Sequence, residues 1–124
     1  MKVKFWGVRG SITTPGKATS KYGGNTPCVQ VSNDEGDFVI LDAGIGIVKL
    51  GETLNCSPYN EGKGKIHIIL SHTHWDHIQG IPFFAPIFKN GNLIVIHCNN
   101  KISKSIYETI GYLFKSYYSP HSKI

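Results

Sequence analysis

Three cysteines, a single arginine and no long apolar run limit what this chain can be. Cys28, Cys56 and Cys98 are odd in number and show no CxxC spacing. They exclude a disulfide frame and read as reduced thiols in a cytoplasmic protein. Cys98 beside His97 has metal-ligating chemistry, but a cysteine in such a strand is more often a small buried hydrophobe. The opening MKVKFWGVRG lacks the apolar stretch of a secretory leader, and no apolar run is long enough to span a bilayer. Arg9 is the only arginine, and no stripe interleaves aromatic with basic residues, which argues against a single-strand binding platform. The net charge of +5 therefore rests on lysines. It admits a phosphate-rich partner such as a nucleotide or RNA, yet scattered lysines are usually a solvated face.

Repeats, low-complexity tracts and linkers are absent too, so residues 1–124 read as one domain. Val3, Phe5 and Val8 lie in a β-rich opening segment that gives way to a glycine-rich turn at Gly7–Gly10. A loop rich in Gly, Thr, Ser and Lys runs from Ser11 to Asn25. Pro27–Ser32 and Asp37–Asp42 read as strands, joined as a hairpin by the turn-forming Asn33-Asp34-Glu35-Gly36. Ala43–Leu50, interrupted by glycine, fits a short helix or a turn, and Asn55–Lys65 a surface loop.

Lys65–Ser71 is apolar at nearly every position, the pattern of a strand buried on both faces. Pro82 and Pro86 restrict any helix after Asp76 to short pieces, and Asn92–Cys98 is the next strand. Ile102, Ile106, Ile110, Leu113, Phe114 and Tyr117 then share one face of a helix. Asn100 or Ser103 is placed to cap it, and Ser119-Pro120 to stop it. Alternating strands and helices imply an α/β fold, a mixed sheet covered by helices.

The chemistry concentrates in His72-Thr73-His74-Trp75-Asp76-His77. At the end of a strand, residues two apart point the same way, so His72 and His74 would present two imidazoles to one point. Asp76 and His77 approach from the side once the chain turns. Three histidines and a carboxylate supply the nitrogen and oxygen donors that suit zinc, manganese or iron. One histidine here would be unremarked packing; four such residues in six are hard to explain structurally.

Ile-Ile-Leu-Ser-His-Thr-His-Trp-Asp-His-Ile-Gln-Gly resembles the metal motif of the metallo-β-lactamase superfamily, and Leu41-Asp42-Ala43-Gly44 resembles its first motif. Phe5–Ser11 and Tyr22-Gly23-Gly24-Asn25-Thr26 are similar to one branch. That branch holds hydrolases like bacterial cyclic-nucleotide phosphodiesterases and tRNA 3′-processing endonucleases. The resemblance implies two divalent ions, with His72 and His74 on the first and Asp76 and His77 on the second. Asp42 would accept a ligand's other N–H, and Asp76 would position or deprotonate the attacking water. Thr26 would face substrate. Two roles stay open for Arg9, a contact to substrate phosphate or bonds to carbonyls of its own loop. His67 reads as packing, and His97 and His121, which match no motif, as structural or exposed.

The superfamily fold is an αβ/βα sandwich about twice this long, whose second half adds ligands to both metals. The expectation is therefore an N-terminal half, with an apolar sheet face left exposed. It would self-associate or depend on its missing half. The activity expected is metal-dependent hydrolysis of a small phosphodiester or nucleotide. Its rivals are a non-catalytic remnant or interaction module, and a tRNA 3′-end processing endonuclease acting on RNA.

Overall fold

The computed structural model describes residues 1–99 and 103–115. Five strands form one mixed sheet: β1 (Lys2–Gly7), β2 (Cys28–Ser32), β3 (Phe38–Leu41), β4 (Lys65–Ile69) and β5 (Leu93–His97). They lie side by side in chain order. β1, β2 and β3 pair antiparallel, and β3, β4 and β5 pair parallel.

The β2–β3 hairpin forms as its turn chemistry requires. Asn33 Oδ1 accepts the N–H groups of Glu35 and Asp37, and Gly36 takes φ +97°, where a side chain would be strained. The parallel pairs need crossovers. One carries α1 (Gly46–Thr53), into which Ala43–Leu50 resolves, and the other carries α2 (Trp75–Ile78) followed by short 3₁₀ turns at Ile81–Phe83 and Ala85–Phe88. Pro82 and Pro86 sit at the starts of those turns, where a missing N–H costs nothing.

Helix α3 (Ser103–Leu113) buries Ile106 and Leu113, and half-buried Ile110 and Phe114 pack against the same core. Ile102 and Tyr117 of the expected stripe lie outside the described residues. So do the Asn100 cap, the Ser119-Pro120 stop and His121. No helix among the described residues is long and apolar enough to cross a membrane.

One expectation about β4 needs correction. The strand is buried on one face, not both: Ile66 and Ile68 are fully enclosed, while Ile69 is 40% exposed. The register explains it. Ile40, Ile68 and Ile96 are aligned neighbours on the face that meets the helices. Leu41, Ile69 and His97 align on the other. That second face also carries Val3, Phe5 and Leu93, all exposed, with Phe5 at 65%. Continuous apolarity along β4 therefore belongs to a strand with one face packed and one face open.

The core between sheet and helices joins Cys28, Ile40, Ile47, Leu50, Ile66, Ile68, Ile81 and Phe84, all fully buried. Burial pushes the Cys28 thiol up to about 12, so it stays protonated and serves as packing. Ile68→Ala would leave a cavity at the centre of this layer and is expected to cost about 2–5 kcal/mol. Urea denaturation of the variant and the parent checks the value.

Candidate metal centre

β1, β3 and β4 run in the same direction, so their carboxyl ends share one edge of the sheet. Open α/β sheets place their ligands at such an edge. Here the segments that meet there are Gly10-Ser11 after β1, Asp42 after β3, and Ser71–His77 after β4.

Asp42 adopts φ +58°, a left-handed conformation that only a few side chains tolerate. Its N–H donates to the carbonyl of Ile69, which ties the end of β3 to the end of β4. Its carboxylate then turns across the edge. Oδ1 accepts the N–H of Ser71 at 2.9 Å and the Ser71 hydroxyl at 2.8 Å, and Oδ2 lies 2.9 Å from His77 Nδ1. The capture of the Ser71 N–H ends the strand. β4 stops at Ile69, and only the Leu70 N–H, donated to the carbonyl of His97, continues its ladder. His72 and His74 are consequently loop residues, and strand alternation does not set their direction. The loop brings them together all the same, with ring centres 4.4 Å apart and His72 4.0 Å from His77.

Ser71 was not among the residues singled out from the sequence, and it has a specific task. Its hydroxyl lies within hydrogen-bond distance of Asp42 and 2.9 Å from His72 Nδ1. When that hydroxyl donates to the carboxylate, its oxygen accepts from His72 Nδ1–H. Asp42 likewise accepts from His77 Nδ1–H. Both rings are then held in the tautomer that leaves the Nε2 lone pair free. The only trace in the sequence was a hydroxyl residue directly before His72.

Asp76 and His77 sit on α2, with His74 as the extended residue that precedes it. Asp76 is buried, and its Oδ2 accepts the Ser11 N–H at 2.9 Å. Ser11 points that N–H inward from a left-handed turn at φ +70°. This bond, more than the nearby histidines, holds the Asp76 carboxyl below the usual aspartate value. A lowered pKa means that any contribution of the charge to folding is complete above the ordinary carboxylate range. It is lost as the pH falls through the lowered value.

His77 Nε2 and Asp76 Oδ2 are 3.4 Å apart. Two ligands at about 2.0–2.1 Å on a tetrahedral ion are separated by roughly 3.3 Å, so this pair is spaced to share a metal. The donor types also fit a divalent transition metal. The closure does not: among the described residues no three His, Cys, Asp or Glu side chains converge on a common ion.

One residue expected to face substrate is placed otherwise. Thr26 is fully buried, and its hydroxyl accepts from Ile45 N–H at 2.7 Å and Gln79 Nε2 at 3.1 Å. It is a joint between the first motif loop and α2, out of reach of a ligand. Arg9, for which two roles stood open, is exposed, and its Nε donates to the carbonyl of Ile12 and to Thr14 Oγ1 within its own loop. His67, read as packing, and His97, read as structural or exposed, lie against each other on the open face of the sheet.

The family described as Beta-lactamase superfamily domain matches residues 38–121, from β3 through both motifs to beyond α3. The chain belongs to this family. Its curated relatives include a protein called Ribonuclease Z from Halorubrum lacusprofundi, 30% identical over 101 residues that make up 79% of this chain and 28% of that protein. The Ribonuclease Z of Haloferax volcanii is 29% identical over 82 residues, 66% of this chain and 22% of its own length. The chain thus spans about a quarter of the length of these relatives. No solved structure matches it significantly.

Proposed function

We propose that this chain provides part of a di-metal phosphodiester-hydrolysing centre. His72, His74, Asp76 and His77 are its ligands, and zinc is the preferred ion. What carries the reading is the Asp42 carboxylate, which aims two of the three histidines at once, beside a charged and buried Asp76. When bound, the ions supply a hydroxide nucleophile and neutralise the phosphate. The chain's own residues do the rest. Asp42 and Ser71 fix the ring tautomers. Ser11 holds Asp76 Oδ2, so that Oδ1 is the oxygen left to orient a water and take its proton.

RNA is the phosphodiester favoured as substrate, because the matched relatives are called Ribonuclease Z. With no closed donor set among the described residues, the proposed centre draws its further ligands from elsewhere, a second copy or another segment. Alone with zinc or manganese, the 124-residue chain is expected to hydrolyse bis-p-nitrophenyl phosphate near background. Fusion to the C-terminal part of one of these relatives should restore chelator-sensitive turnover. Asp76→Asn in that fusion should then lower it at least about a hundredfold, the usual worth of a positioned general base. Unchanged turnover in Asp76→Asn would remove Asp76 from the chemistry. A fusion that folds, binds metal and remains inactive would favour the non-catalytic reading.

A further inference from the structure

The open sheet face carries a second cluster of nitrogen donors, separate from the edge just described. His67 on β4 and His97 on β5 lie diagonally on this face, since His67 is opposite Val95 and His97 is opposite Ile69. Their side chains reach toward each other. His67 Nδ1 and His97 Nε2 are 2.8 Å apart, and the rings stack at 5.1 Å with 23° between their planes. Both backbones are fixed by the parallel ladder, so little chain entropy stands between this pairing and a chelating one. His67 is half-buried and His97 exposed, which leaves the pair open to solvent ions.

We infer that His67 and His97 form a two-imidazole site for a borderline transition-metal ion, with water completing the coordination. To chelate, the ring nitrogens part by about 0.5 Å, to the roughly 3.3 Å separation of two nitrogens on one tetrahedral ion, and each ring turns by roughly 35° so that both lone pairs meet at the ion instead of along the N–N line. The single proton that the two nitrogens share must leave that position. It moves through water to the distal nitrogen of its own ring, so the neutral pair becomes two neutral ligands without net proton release. Lys65, Leu93, Val95 and Ile69 are register neighbours of the two rings on this face, and the imidazoles are the neutral chelating groups among them. Such a site ranks ions by imidazole affinity, copper(II) ahead of nickel and zinc.

Copper(II) titration by calorimetry tests this in the 124-residue chain, with His72→Ala/His74→Ala/His77→Ala and Cys56→Ser in the background so that neither the motif nor the exposed thiol takes copper. One equivalent of copper should remain. Adding His67→Ala or His97→Gln should weaken that equivalent at least tenfold, while circular dichroism melting shows the fold retained. Histidine ring-nitrogen NMR gives a second readout, with copper broadening the signals of His67 and His97 in the parent. If the residual copper is held equally by the His67 and His97 variants, or if those ring signals are untouched, the inference is wrong.

Discussion

Zinc bound at the motif should fall by much more than tenfold when His72 and His74 are both replaced by alanine. Elemental analysis and competition with a chromogenic chelator would measure the loss. The proper background is His67→Ala/His97→Ala, so that ions on the open face do not contribute. The size follows from ligand counting. The described residues offer pairs of donors and no closed set, so each ligand carries a large share of the binding free energy. Asp42→Asn is the graded comparison. It keeps the side-chain shape but loses the charge that receives His77 Nδ1–H and the Ser71 hydroxyl. Loss of an orienting partner of this kind costs about 10–100-fold in metal affinity. Full zinc occupancy in the His72→Ala/His74→Ala protein would mean that the ions sit elsewhere.

Gly44→Ala should be among the damaging single methyl groups in the molecule. An added Cβ would lie 2.3 Å from the carbonyl oxygen of Asp76 and 2.7 Å from Thr26 Oγ1. Neither neighbour can yield easily. Thr26 is fully buried and holds both Ile45 and Gln79, and the Asp76 carbonyl belongs to the helix that carries the candidate ligands. Relief would require the first motif loop and α2 to move apart, at the upper end of the roughly 1–3 kcal/mol typical of overpacking or beyond it. Thermal and urea unfolding should show this loss, together with weaker zinc binding. Gly10→Ala, whose added methyl meets nothing within 4 Å, is the control and should unfold like the parent. Equal stability of the two variants would show that the loop and α2 do not approach this closely.

The two largest effects fall on residues of very different visibility. The histidines announce themselves, because three imidazoles and a carboxylate within six positions have few uses other than metal. Gly44 closes the first motif, but nothing in that motif shows how tightly it is packed. Its steric importance comes from a carbonyl thirty-two positions further along the chain. Ser71 and Ser11 are similar. A hydroxyl that fixes a histidine tautomer and a backbone N–H that holds a carboxylate charged are ordinary residues until the chain ends that carry them converge.

Local chemistry was enough for the elements. The Asn33–Gly36 turn, the β-forming runs on either side of it, and the prolines that cut the segment after α2 into short turns all act within a few residues. So was the α/β class, and so was the family, because a metal motif is a short-range pattern. Burial was a different matter. An apolar run states what β4 can tolerate, while its neighbours across the register decide which face is covered, and here one face stays open. The pairing of His67 with His97 was equally out of reach, since thirty positions separate them and only the parallel ladder makes them adjacent. Which donors this protein owns, and which segments carry them, follows from residue identity alone. Their directions come from how the chain packs, because a hydrogen bond to Asp42 or from Ser11 depends on where strand ends meet and no local propensity encodes that meeting.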